Sequence, residues 1–210
     1  MNPTLKQLFE GIVNGESNVV EQKVNEALSS GIDPAVILNE GMIPAMSEVG
    51  RQFEEGECYV PEMLVAAHAM QNGMGLLKPH LQKDKVESRG KVAIGTVKGD
   101  LHDIGKNLVA IMLEGAGFEI QDLGTDVSPE KFVEAARSGA NVIALSALLS
   151  TTMTQMKGVV ESLEKADLPN KVFVIVGGAP LSETFAKSIG ADGFAPDASR
   201  AVSVVRALMN

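Results

Sequence analysis

The sequence predicts an α/β protein, with a four-helix bundle as an N-terminal cap over residues 1–88 and a doubly wound, five-stranded parallel sheet over residues 89–210. Three observations carry this reading. Apolar residues recur at helical spacing from Pro3 to about His80. From Val92 onward, short β-branched runs alternate with helical stretches. Between them, Leu81 to Gly90 is charged and almost free of apolar residues, the composition of a connector between domains.

The first helix follows from Leu5, Leu8, Phe9, Ile12 and Val13, which repeat at three and four, and the second from Val19, Val20, Val24, Ala27 and Leu28. Asp33 before Pro34 is an N-cap followed by proline at the first helical position, opening a third helix with Val36, Ile37, Met42, Ile43, Met46 and Val49. Pro61 marks the start of the fourth, whose apolar face carries Met63, Leu64, Ala67, Met70 and Leu77. In the second half, Val92–Ile94, Phe118–Ile120, Val142–Leu145, Val172–Val176 and Gly193–Ala195 read as strands. Helices over Ile104–Leu113, from Ser128-Pro129-Glu130 onward, and over Met153–Leu163, Leu181–Ser188 and Ala198–Leu208 supply the crossovers. Such a flavodoxin- or Rossmann-like sheet binds ligands outside the carboxyl ends of its strands. The loops to inspect are therefore Lys98–Asp103, Ser146–Thr152 and Gly177–Pro180.

Composition narrows the function. Lys and Arg number 18 against 27 Asp and Glu, a formal charge of -9, the wrong sign for neutralising nucleic-acid phosphates. No apolar run reaches the roughly 18 to 20 residues of a membrane helix, and Met1-Asn2-Pro3-Thr4-Leu5-Lys6 does not resemble a leader, so a cytoplasmic protein without a membrane partner is expected. One cysteine, Cys58, and three histidines exclude an internal disulfide and the usual four-ligand zinc sets. Cys58 has no histidine or second cysteine at motif spacing and reads as buried and inert.

Asp100 and His102 stand two apart in the loop that leaves the first strand. A carboxylate accepting the Nδ1 proton would fix the imidazole tautomer and leave Nε2 as a ligand or base. A surface histidine beside a helix-capping aspartate fits the same spacing. Ser146, Ser150, Thr151 and Thr152 offer hydroxyls to a ligand's polar tail or to the Asp100 carboxylate, or else cap the helix that follows. Gly177 and Gly178 permit close approach of a ligand to backbone, or a tight turn. Lys98 and Lys106 flank the site and could steer a phosphate.

The ordered words D-x-H-x-x-G (Asp100, His102, Gly105), S-x-L (Ser146, Leu148) and G-G (Gly177, Gly178) resemble the cobalamin-binding signature. The flanking Gly95–Asp100 and Asp103–Asn107 are similar to the cobalamin module of methionine synthase, and a preceding helical bundle is part of that module. The likeness covers nearly the whole chain and is nearest to the small corrinoid proteins of methyltransferase systems.

That resemblance implies cobalamin or a related corrinoid, bound base-off/His-on and cycling between cob(I)alamin and methylcob(III)alamin, with His102 as the lower cobalt ligand and Asp100 orienting it. Thr152 stands where a serine of methionine synthase completes the chain from His through Asp, so the resemblance implies the same relay here through a threonine hydroxyl. Ser146 and Ser150 would contact the nucleotide tail, Gly177 and Gly178 would make room for its base, and Gly105 and Leu148 belong to the same motifs. Phe53 and Val60, with Met63 sharing the surface, would cap the methyl face. The implied function is a methyl carrier, not an autonomous enzyme, serving a substrate-specific methyltransferase and a methylcorrinoid:acceptor methyltransferase, with a reductive activation protein as a further partner. The donor (methanol, a methylamine, glycine betaine, a thioether or an aromatic methyl ether) and the acceptor (coenzyme M or tetrahydrofolate) are not readable. The Leu81–Gly90 connector is the expected hinge that opens the cap. Competing readings are the small subunit of an adenosylcobalamin-dependent mutase, which lacks this bundle, a cobalamin-sensing regulator, and a receiver-like domain.

Overall fold

The computed structural model describes residues 2–83 and 88–209. The chain divides into two compact units, Met1–Glu87 with Gly115–Gly117, and Ser88–Glu114 with Phe118–Asn210.

In the helical unit, α1 (Pro3–Val13) starts at an Asn2 cap whose side chain accepts from the Thr4 N–H at 2.9 Å, and α2 (Ser17–Ser29) follows. The Asp33 cap accepts from the Ala35 N–H at 2.7 Å. The third rod is not one uniform α-helix. It comprises α3 (Pro34–Val36), a π-helical segment (Ile37–Met42) and α4 (Ile43–Glu54). Pro44 has no N–H for the Glu40 carbonyl and its ring crowds that group, so the widened π-turn falls where the α ladder would break. Helix α5 (Val60–Lys83) is 24 residues long. Leu5, Leu8, Ile12, Val20, Val24, Met42, Met46, Met63, Met70 and Leu77 are buried in this half. At Gly73 a Cβ would lie 2.8 Å from Val20 and 2.9 Å from Met42, so glycine sets how closely α5 approaches its neighbours. The charged connector begins later than its composition predicts. Leu81 remains helical and buried, four residues beyond Leu77 on the same face, and residues 84–87 lie outside the described residues.

The second unit holds β1 (Lys91–Thr96), α6 (Ile104–Gly115), β2 (Glu119–Asp122), α7 (Pro129–Arg137), β3 (Val142–Ser146), α8 (Gln155–Lys165), β4 (Phe173–Gly177), α9 (Glu183–Ser188), β5 (Gly193–Ala195) and α10 (Ala198–Met209). All strand pairs are parallel in the order β2-β1-β3-β4-β5, which puts the switch point between β1 and β3. Residues of β1 and β3 are buried on both faces, as expected for strands covered by helices on each side. Ala93, Phe132, Ile143, Leu145, Met156 and Val176 form part of the core on one face. The register aligns Thr96 with Ser146 and Ser146 with Gly177. The three candidate loops consequently leave the sheet side by side at one edge.

Candidate functional site: a buried aspartate holding a half-exposed histidine

The loop after β1 is held by its neighbours before it reaches the helix. The Gly99 N–H donates to Asp126 Oδ1 at 2.7 Å, and the Asp126 N–H donates to the Asp100 carbonyl at 3.0 Å. Asp126 itself adopts φ of 53°, a left-handed conformation that aspartate tolerates better than most residues. The hydroxyl of the fully buried Thr96 donates to the His102 carbonyl at 2.9 Å.

Asp100 is 0% exposed. Its Oδ1 lies 2.7 Å from His102 Nδ1 and accepts the His102 N–H at 3.1 Å. Its Oδ2 accepts from the Leu148 N–H at 2.9 Å and from the Thr152 hydroxyl at 2.6 Å, both in the loop after β3. Burial alone raises this carboxyl; the hydrogen bonds from Thr152, Leu148 and His102 outweigh it and hold the group well below the usual carboxylate range. Asp100 is thus a charged acceptor, and the imidazole that faces it carries its proton on Nδ1. The His102 side chain is 51% exposed, and Nε2 has no hydrogen-bond partner among the described residues.

The segments that carry His102 and the partners of Asp100 also expose large apolar side chains. Leu101, Ile104, Leu148 and Leu149 are all exposed, Ile104 at 82%. A Cβ built on Gly105 would meet nothing within 4 Å. Among the described residues, no group of three or more His, Cys, Asp or Glu side chains could hold a metal ion. A metal met by a single histidine must arrive with its other ligands attached, and a flat apolar macrocycle fits exposed leucines and an open glycine. The residues present therefore fit a corrinoid.

A family model described as the B12 binding domain matches residues 90–203, and a second B12 binding domain model matches residues 4–78. Over 203 residues the chain is 42% identical to trimethylamine corrinoid protein 1 of Methanosarcina acetivorans, covering 95% of this chain and 94% of that one. The chain belongs to the B12-binding corrinoid proteins. Among solved structures, it is similar to one from the methanol:cobalamin methyltransferase complex of Methanosarcina barkeri, with a TM-score of 0.86 and 26% identity over 99% of this chain and 80% of that one. A cobalamin-binding protein of Desulfitobacterium hafniense matches with a TM-score of 0.80 and 29% identity, covering 97% of each chain. No helix among the described residues is long and apolar enough to cross a membrane.

Within this corrinoid protein the structure brings Asp100, His102, Leu148 and Thr152 into one hydrogen-bonded group. Ser146 is half-buried at the end of β3, whereas Ser150 and Thr151 are exposed. The glycine pair has a structural duty of its own. Gly178 has φ of 136°, and a Cβ there would fall 1.8 Å from the Ala147 carbonyl oxygen, a position no side chain can occupy. Lys106 differs from the sequence expectation of a phosphate-steering lysine. Its ammonium is buried and donates to Asp122 and Asn107, so it does not face an incoming anion. In the helical unit, Phe53 on α4 is half-buried, Val60 at the start of α5 is exposed and Met63 is fully buried. Sequence reasoning missed Asp126 and the exposed Leu101, Ile104 and Leu149. The latter three carried a signal, since large apolar residues beside His102 in loops at strand ends have no core to face.

Proposed function

We propose that the protein is a methyl carrier that binds a corrinoid base-off/His-on, receives a methyl group from a substrate-specific methyltransferase and presents it to a second, acceptor-specific one. The observation that carries this reading is the 2.7 Å contact between the buried Asp100 carboxylate and the half-exposed His102 imidazole. When bound, the corrinoid supplies a cobalt centre able to take up and release a methyl group.

The chain's residues would do the rest. His102 would offer Nε2 to the cobalt, and Asp100 would keep the Nδ1 proton in place so that Nε2 carries the lone pair. The same Nδ1 contact would hold the rotation of the ring. Thr152 and the Leu148 N–H keep Asp100 ionised throughout. Leu101, Ile104, Leu148 and Leu149 exclude water from the ring edge, with Gly105 leaving space for it. Ser146, Ser150, Gly177 and Gly178 are assigned to the nucleotide tail, and Phe53 and Val60 to the methyl face; Met63, expected to share that surface, is fully buried and offers none. A reductive activation protein is the third partner.

A methylated amine is the favoured donor class, because the 42%-identical relative is named for trimethylamine whereas the methanol system's structure shares 26% identity. The B12-binding match over residues 4–78 argues against the mutase small subunit, which lacks a helical bundle. Anaerobic reconstitution with cobalamin, desalting and visible spectroscopy test the core of the reading. Corrinoid retained with a His-on spectrum that is lost in His102→Ala supports it; colourless wild type overturns it. Methylation of the loaded protein by a trimethylamine methyltransferase with trimethylamine, but not by a methanol methyltransferase with methanol, supports the donor, and the reverse pattern overturns it.

A further inference from the structure

Lys106 sits on the first turn of α6, four residues after His102, yet its side chain is only 2% exposed. Its ammonium donates to Asp122 Oδ2 at 2.6 Å and to Asn107 Oδ1 at 2.6 Å. A buried ammonium is costly without such partners, so the arrangement is a specific one. Two chains of hydrogen bonds lead from it to the His102 loop. In the first, Asp122 Oδ1 accepts from the Gly124 N–H at 2.9 Å, the Gly124 carbonyl accepts from the Thr96 N–H at 3.0 Å, and the Thr96 hydroxyl donates to the His102 carbonyl at 2.9 Å. In the second, Asn107 Nδ2 donates to Asp103 Oδ2 at 3.2 Å, on the residue that follows His102. Neither chain touches the imidazole, whose rotation Asp100 controls. Together they fix the backbone from which the imidazole projects.

We propose that Lys106 is a positioning residue that sets how far His102 Nε2 reaches toward a bound corrinoid. Asp122 and Asn107 are its anchors. The proposal rests on His102 being the lower ligand, and it separates two functions within one loop: Asp100 sets the tautomer and rotation of the ring, Lys106 the stand of its backbone. A lysine that merely stapled α6 to the end of β2 would affect melting and leave the axial ligand untouched.

The test uses the full chain as wild type, Lys106→Met, Lys106→Arg, Asp122→Asn and His102→Ala, each reconstituted anaerobically with cobalamin. Two readouts are taken: nitrogen splitting from the axial imidazole in the EPR spectrum of the Co(II) form, assigned by its change from a triplet to a doublet in 15N-histidine-labelled protein, and thermal melting of the corrinoid-free protein. Wild type is expected to show the splitting and His102→Ala to lack it. Lys106→Met is expected to retain corrinoid and lose the splitting, and Asp122→Asn to reduce it. Lys106→Arg, which keeps the charge, is expected to restore part of it. Wild-type splitting in both Lys106→Met and Asp122→Asn overturns the proposal, whatever their melting temperatures. Should Lys106→Met fail to fold, Asp122→Asn decides alone, since its side chain is 47% exposed and the amide keeps its shape. Splitting that persists in His102→Ala overturns the ligand assignment itself, an outcome distinct from failure of the Lys106 role.

Discussion

The Asp100 carboxylate and the Thr152 hydroxyl, 52 residues apart in the chain, meet at 2.6 Å with Asp100 fully buried. Through this contact the loop after β3 determines the charge state of the group that orients His102. The same oxygen receives the Leu148 N–H, so backbone and side chain of one loop converge on one acceptor. Thr152 has a second acceptor in the Leu149 carbonyl at 3.0 Å, but its single proton favours the charged oxygen.

Replacing Asp100 by Asn keeps the shape and removes the charge. The amide can still accept at one position, but its NH2 group must face a donor, either Leu148 N–H and Thr152 or His102. Stability is expected to fall by about 1–3 kcal/mol, measured by urea denaturation of the corrinoid-free protein. His-on character in the loaded variant is expected to weaken in visible spectra.

The depressed Asp100 carboxyl also predicts a pH dependence. Its folded value lies below its unfolded one, so between the two the unfolded chain binds more protons and stability rises with pH. This contribution is fully present above the unfolded value, about pH 4, and is lost as pH falls toward the folded value. Denaturation curves between pH 5 and pH 2 are expected to be steeper for wild type than for Asp100→Asn; equal slopes would count against a charged, buried Asp100.

Thr152→Ser and Thr152→Val separate hydroxyl from methyl. The serine variant keeps the donor and is expected to stay within about 1 kcal/mol of wild type. The valine variant leaves Asp100 short of one strong donor and is expected to lose about 1–2 kcal/mol. A calorimetric comparison at pH 7 checks both, and valine matching serine would show that the hydroxyl contributes nothing.

Two glycines of the same signature are expected to behave oppositely. Gly178→Ala places a methyl group against the Ala147 carbonyl at a φ that alanine avoids, and is expected to destabilise by at least about 2 kcal/mol. Gly105→Ala meets open space on a helix, so the corrinoid-free protein is expected to hold or gain up to about 1 kcal/mol. Its corrinoid retention is expected to drop, because the added methyl enters the space assigned to the ring. Thermal melts and desalting-column retention measure the two effects separately.

Much of the fold was legible because its signals are local. Helical spacing, the Asp33-Pro34 and Ser128-Pro129 starts and the β-branched runs each depend on a few neighbours, and every expected strand overlaps an observed one. The π-segment was not legible, since apolar spacing through Val49 reads the same whether a turn is α or π. At the site, the two-residue spacing offered the Asp100–His102 contact beside a helix-capping reading, while the Asp100–Thr152 bond was one of several uses for four hydroxyls until the resemblance put Thr152 in the chain from His through Asp. Lys106 was misread, because a lysine at a helix start gives no sequence sign that an aspartate 16 residues later will bury it.

The sequence by itself determined the two-part organisation, the parallel sheet, the loops at the carboxyl ends of its strands and the nearness of Asp100 to His102, because each rests on periodicity or on residues that are neighbours in the chain. Only the tertiary structure decided that Thr152 lies within bonding distance of Asp100, where Lys106 finds its counter-charge and why Gly178 must be glycine. All three depend on strand register. Alignment of Thr96 with Ser146 and of Ser146 with Gly177 brings distant loops within hydrogen-bond reach, and a shift of one residue would reverse which side chains face them.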